Sequence, residues 1–316
     1  MKRVLVTRAM PEAVYAALDG LDVVRRDRTD PLSPQELRAA LRDFDGVLPT
    51  LGDRFDGSVF ADVAQPRCRI LANFGVGYNH IDVDAARAAG VAVTNTPGAV
   101  TDATADIALT LMLMSARRAA EGERLVRSGA WEGWHPTQLL GMHLTGKRLG
   151  VVGMGRIGQA IAHRCHFGFG MPVSYFSRSA KDLPFDAEFH TDLNALAAAV
   201  DVLVVVVPGG PETTHLIDAG VLDAMQPHAH LVNIARGEVV CQADLIDALQ
   251  GRRIGGAGLD VYEFEPEVPG ALRDLDNVTL LPHLGTSTLQ VRVDMGLMAV
   301  ENLQAGVAGK ALPNPV

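Results

Sequence analysis

Leu149-Gly150-Val151-Val152-Gly153-Met154-Gly155-Arg156-Ile157-Gly158 is the most informative ten-residue segment of the chain. An apolar run of β character leads into a GxGxxG spacing, and a helical pattern follows it. Gly153 permits a tight turn, Gly155 lets main chain approach a pyrophosphate, and Gly158 lets helix and strand pack closely. The helix N-terminus then offers unpaired N–H groups and a partial positive charge to phosphates. The spacing alone is a weak signal; between a strand and a helix it reads as a dinucleotide-binding turn.

Residues 149–153, 173–176, 202–207, 230–234, 257–261 and 278–281 read as strands of one βαβ series. The stretch 202–207 lacks polar alternation, as a strand buried on both faces would. Upstream, a second series is read at 4–7, 23–25, 46–49, 70–74 and 91–95, with amphipathic segments at 34–42 and 82–89 between. Strands alternating with helices imply parallel sheets, because a parallel connection needs a long crossover. One long helix is predicted over 101–127, opened by the N-cap types Thr101 and Asp102 and bridging the two series. A helix over 289–306 is predicted to return to the first series. The expected class is α/β with two doubly wound parallel-sheet domains. A Rossmann cofactor domain, 100–285, is inserted in a flavodoxin-like substrate domain made of 1–99 and 286–316.

The 316 residues suit two domains, and a 48% hydrophobic fraction suits two full cores. A formal charge of −9 disfavours nucleic acid and anionic membrane as partners, so an anionic ligand must be held by local groups. Cys68, Cys165 and Cys241 are scattered, with no CxxC pair, which suits a reducing cytoplasm. The opening residues run straight into a strand, without an apolar signal core. The apolar run 107–114 is far short of the roughly 20 residues of a membrane span.

About 20 residues beyond the glycine turn, NAD binders carry an acid that accepts from the ribose 2′-hydroxyl. Ser177 stands there instead, followed by Arg178. A hydroxyl and a guanidinium suit a 2′-phosphate, so NADP(H) is expected to be preferred and NAD(H) possible. Three later segments bring polar residues to strand ends: Asn233-Ile234-Ala235-Arg236-Gly237, Asp260-Val261-Tyr262-Glu263-Phe264-Glu265-Pro266 and Leu281-Pro282-His283-Leu284-Gly285. Ligands of doubly wound sheets sit outside those carboxyl ends.

With these residues stand Asn73-Phe74-Gly75-Val76-Gly77-Tyr78-Asn79, Ala103-Thr104-Ala105-Asp106, Gly133-Trp134-His135-Pro136 and Pro211-Glu212-Thr213-Thr214-His215. Together they resemble the D-2-hydroxyacid dehydrogenases along essentially the whole chain, most closely the glyoxylate/hydroxypyruvate reductase branch. The resemblance implies reduction of a small 2-oxo acid to its 2-hydroxy acid. His283 is then the general acid, since an imidazole can give a proton near neutrality. Glu265 would stabilise its protonated form, and Arg236 would bind the substrate carboxylate and polarise the carbonyl. The resemblance also implies N–H groups of Val76 and Gly77 as a carboxylate clamp, and Leu51, just after the strand at 46–49, is expected to line the substrate cleft. The resemblance implies cofactor contacts at Thr104, Arg156, Ile157, Pro208, Thr213, Ile234, Ala235, Asp260 and Gly285. A homodimer through 101–134 is expected, with Trp134 either reaching a partner's substrate or serving only as an interface anchor. No metal is expected, and His163, His166, His228 and His230 are read as structural or exposed. The remaining alternatives are a phosphoglycerate-type or other D-2-hydroxyacid dehydrogenase and a nucleotide-sensing corepressor.

Overall fold

Short strands, most of them aliphatic and most followed by a helical segment, give twelve strands and twelve α-helices over Met1–Val316, all of which the computed structural model describes. The chain divides into two compact units, Met1–Val100 with Ser287–Val316, and Thr101–Thr286.

In the first unit, β1 (Arg3–Val6), β2 (Asp22–Arg25), β3 (Gly46–Leu48), β4 (Ile70–Ala72) and β5 (Ala92–Thr94) form a parallel sheet of order β2-β1-β3-β4-β5. This is the flavodoxin-like order. Between the strands run α1 (Glu12–Ala16), α2 (Pro34–Asp43), α3 (Gly57–Ala61) and α4 (Val83–Ala88). Their starts are set by local chemistry. Ser33 and Glu36 form a capping box, and Asp56 and Asp82 cap α3 and α4. Leu37, Leu41, Phe55, Phe60 and Leu71 fill the core on one face.

In the second unit, α5 (Thr101–Ala116) and α6 (Ala119–Arg127) precede β6 (Leu149–Val152), α7 (Arg156–Phe169), β7 (Val173–Phe176), β8 (Ala187–His190), α8 (Leu193–Ala199) and β9 (Val202–Val205). Then come α9 (Ala219–Ala224), β10 (His230–Asn233), α10 (Gln242–Gln250), β11 (Gly256–Leu259), α11 (Gly270–Arg273) and β12 (Val278–Leu280). The seven strands are parallel, in the Rossmann-type order β12-β11-β10-β9-β6-β7-β8. Apolar clusters cover both sheet faces, one with Leu203 and Leu231, the other with Val151 and Val204. The last helix, α12 (Leu289–Val307), belongs to the first unit. It packs directly on β3: a Cβ on Gly46 would lie 2.8 Å from side-chain atoms of both Leu303 and Val307.

Three expectations need correction. The single helix over 101–127 is two helices, because Arg118 is left-handed (φ 53°) and the Ala116 carbonyl is taken by the N–H of Met142 at 2.7 Å. Thr101 and Asp102 are the first helical residues rather than caps, and Asp102 pairs with Arg164 at 2.7 Å. β8 was not anticipated: its four residues are only partly buried at the sheet edge and carry no continuous apolar run.

Candidate active site

The glycine turn is built as its spacing requires. Gly153 adopts φ +105°, and a Cβ there would lie 2.8 Å from the Val206 carbonyl oxygen. A Cβ on Gly158 would run into the Gly153 carbonyl oxygen. Both positions therefore admit only glycine. At Gly155 a Cβ would meet nothing within 4 Å, and no side chain caps α7. An open cradle in front of an uncapped helix N-terminus fits a pyrophosphate, which the N–H groups of Arg156 and Ile157 would hold. After β7, the Ser177 hydroxyl donates to the Ser179 carbonyl at 2.6 Å and Arg178 is exposed. Lys181, a second cation unnoticed in the sequence, donates to the Ser179 hydroxyl at 3.0 Å.

Arg236, Glu265 and His283 follow β10, β11 and β12, three adjacent strands, so parallel pairing alone gathers them at one sheet edge. Asn233 shapes the first loop: its amide donates to the Arg236 carbonyl at 3.0 Å and its oxygen accepts from the Ala235 N–H at 3.0 Å. Arg236 is half-buried and donates to the Ala235 carbonyl at 2.7 Å. Burial pushes its pKa down, with Glu238 and Glu265 pulling the other way. A poorly hydrated guanidinium attracts a carboxylate more strongly than a solvated one.

Glu265 Oε2 lies 2.9 Å from His283 Nδ1, and both side chains are 30% exposed. Burial disfavours the Glu265 carboxylate, but the hydrogen bond and charge of His283, the Tyr262 N–H and the Arg236 charge outweigh it. The carboxyl sits below its ordinary range. His283 holds a left-handed backbone (φ 54°), a conformation a non-glycine residue adopts at some cost. Asp260 maintains it. The Asp260 carbonyl accepts the His283 N–H at 2.9 Å, and its two carboxylate oxygens accept the N–H groups of Leu284 (2.6 Å) and Gly285 (2.8 Å). Burial nonetheless raises the Asp260 pKa, against those bonds and the His283 charge.

The remaining expected residues fall as follows. Thr104, on α5, donates to the Gly285 carbonyl at 3.3 Å, beside Asp260. Ile234 and Ala235 are buried at 6% exposure each. The Thr213 hydroxyl closes its own loop onto the Pro208 carbonyl at 2.6 Å. In the first unit, the carbonyls of Val76 and Gly77 are tied back by Asn95 (2.9 Å) and Asn73 (3.0 Å), leaving their N–H groups without an intrachain partner. Leu51 sits on a loop fixed by Asp53, whose carboxylate accepts from the Thr7 hydroxyl and the Thr50 and Leu32 N–H groups. Trp134 is 80% exposed. His163 and His166 lie in a ring cluster with Phe167 and Phe185. His228 and His230 bond Asp201 and Ser115. No group of three or more His, Cys, Asp or Glu is placed to hold a metal, and no helix is long and apolar enough to cross a membrane.

Residues 109–285 match the family model described as D-isomer specific 2-hydroxyacid dehydrogenase, NAD binding domain. The glyoxylate reductase of Thermococcus gammatolerans is 42% identical across 99% of this chain and 95% of that protein. That of Pyrococcus furiosus is 41% identical across 99% and 95%. Among solved structures, the NADPH-dependent glyoxylate/hydroxypyruvate reductase of Sinorhizobium meliloti, in complex with NADP and malonate, superposes with a TM-score of 0.88. It is 37% identical, covering 100% of this chain and 96% of that one.

Proposed function

Because the chain belongs to the D-isomer specific 2-hydroxyacid dehydrogenase family, we propose that it reduces glyoxylate or hydroxypyruvate to the 2-hydroxy acid. The observation that carries this reading is the Glu265–His283 pair at 2.9 Å, on the same sheet edge as Arg236. With Nδ1 engaged by Glu265, His283 holds the transferable proton on Nε2 and gives it to the carbonyl oxygen. Glu265 balances the imidazolium charge and fixes the ring. Arg236 binds the carboxylate and polarises the carbonyl through its planar set of donors. A bound nicotinamide supplies the hydride. The test is consumption of reduced nucleotide by the purified protein with each of the two acids. No turnover over a panel of 2-oxo acids, with tight nucleotide binding retained, would refute this reading and favour a sensor.

NADPH is the preferred nucleotide in this proposal. It rests on exposed Arg178 and neighbouring Lys181, and on the lack of a carboxylate at position 177. Arg178→Ala is expected to lower kcat/KM for NADPH by about tenfold and to leave NADH nearly unchanged, one charge-assisted phosphate contact being worth about 1.4 kcal/mol. A wild-type kcat/KM favouring NADH would overturn it. The proposed assembly is a homodimer through 101–134. In the single chain α6 buries no residue, and Val126, Trp131 and Trp134 are exposed by 60%, 51% and 80%. Sedimentation at the monomer mass would refute it.

A further inference from the structure

We propose that Tyr262 is a positioning residue that holds the loops of Arg236, Glu265 and His283 in one arrangement. The proposal rests on the roles given to those three residues above. Tyr262 is 8% exposed and follows β11, between the other two loops. Each loop meets a different part of it. Its N–H donates to Glu265 Oε1 at 3.0 Å. Its ring hydroxyl donates to the Leu281 carbonyl at 2.9 Å, two residues before His283. The loop of Arg236 rests on its peptide: a Cβ on Gly237 would overlap the Tyr262 carbonyl group and the Glu263 nitrogen.

The chemistry gives such a hub a purpose. Glu265 and His283 come from different strands and meet through a single 2.9 Å bond between half-open side chains. Asp260 already ties the main chain of the two loops together, through the N–H groups of His283, Leu284 and Gly285. The Tyr262 N–H orients the carboxylate from behind, and the hydroxyl anchors the main chain that carries the imidazole. One rigid ring therefore adds to the grip of Asp260 a second tie, on the other side of His283, between the proton donor and its partner. Burial, together with the charges of Asp260 and Glu265, pushes the phenol pKa up, so the hydroxyl stays a donor throughout the working pH range. The contact with Gly237 extends the same control to Arg236.

Tyr262→Phe keeps the ring and the N–H and removes only the hydroxyl. Misplacing a catalytic group by 1 Å can cost on the order of 100-fold, and this variant should allow a fraction of that shift, about 5- to 20-fold in kcat. Because the Glu265–His283 pair loosens, the fall in kcat/KM on raising pH should move to lower pH. The nucleotide Kd and Tm should stay close to wild type. Gly237→Ala drives a methyl group into the hub and should raise KM for the 2-oxo acid as well as lower kcat. Wild-type kcat and pH profile in Tyr262→Phe overturn the proposal. So does a loss of activity that only follows a lowered Tm with the pH profile unmoved, which is a packing role. Near-normal turnover in His283→Ala would instead remove the catalytic assignment itself, whatever Tyr262→Phe does.

Discussion

The two ends of the seven-stranded sheet carry polar networks built on opposite plans. At the amino ends of the strands, charge meets charge. Asp201, 7% exposed, takes two hydrogen bonds from the Arg148 side chain, one from its N–H and one from His228. Nearby, His230 is buried against the Ser115 hydroxyl at 2.7 Å. At the carboxyl ends, Asp260 is spent on N–H groups, Glu265 on an N–H and one imidazole nitrogen, and Arg236 on a carbonyl. The first plan saturates its ions with one another. The second ties its carboxylates mainly to main chain, with one carboxylate–imidazole pair among them. Mutual saturation serves stability; a carboxylate that holds an imidazole by one nitrogen leaves the other nitrogen for chemistry.

That contrast can be broken from either end. The largest effect is expected from His283→Ala, which should lower kcat by about 10²- to 10⁴-fold while Tm and nucleotide binding hold. Stopped-flow and thermal melts would check it, and a collapse of Tm would mean that the carboxyl end also works as a brace. Next comes pH. Burial and the neighbouring His228 charge push the His230 pKa from 6.5 down to about 4. Below 6.5 the unfolded chain takes up a proton here that the folded chain refuses. Stability should therefore fall as pH drops from about 6.5 to about 4, by up to about 3 kcal/mol, with this contribution flat on either side. Urea midpoints across that window, with and without His230→Asn, isolate the contribution; an unchanged slope in the variant would discard it. Smaller is Asp201→Asn, expected to cost about 2 kcal/mol. The loss is held down because Arg148 and His228, 47% and 52% exposed, can recover water. Its kcat/KM should stay within about twofold of wild type, and a larger catalytic loss would blur the distinction.

What the sequence could disclose follows the same physical divide. The glycine turn was legible because its requirements are local: of three glycines within six residues, Gly153 and Gly158 have no room for a side chain, and Gly155 leaves open space before the helix. Strand order was legible as a class, since βαβ alternation demands parallel pairing. Arg236, Glu265 and His283 could be picked out as polar residues at strand ends, but not their distances. Those depend on Asp260 gripping Leu284 and Gly285, and on Tyr262 reaching Leu281. The break between α5 and α6 was hidden for a similar reason. The N–H that ends α5 belongs to Met142, on a segment whose Gly141 leaves no room for a side chain against Ala116. Lys181 escaped notice because only the folded turn brings it to Ser179.

The interruption of the first unit by 101–286 also sets an order of events during synthesis. Everything that the seven-stranded sheet needs is contiguous and emerges before α12 does. The five-stranded sheet, though its strands are made first, lacks a helix that covers β3 until Leu303 and Val307 have been added, and lacks the edge bond from Val316 to Val93 until the very end. The middle of the chain can thus reach its native core while the beginning still waits with an apolar face uncovered. Once residues up to 286 have left the ribosome and α12 has not, the second unit can be folded while the first is unfinished.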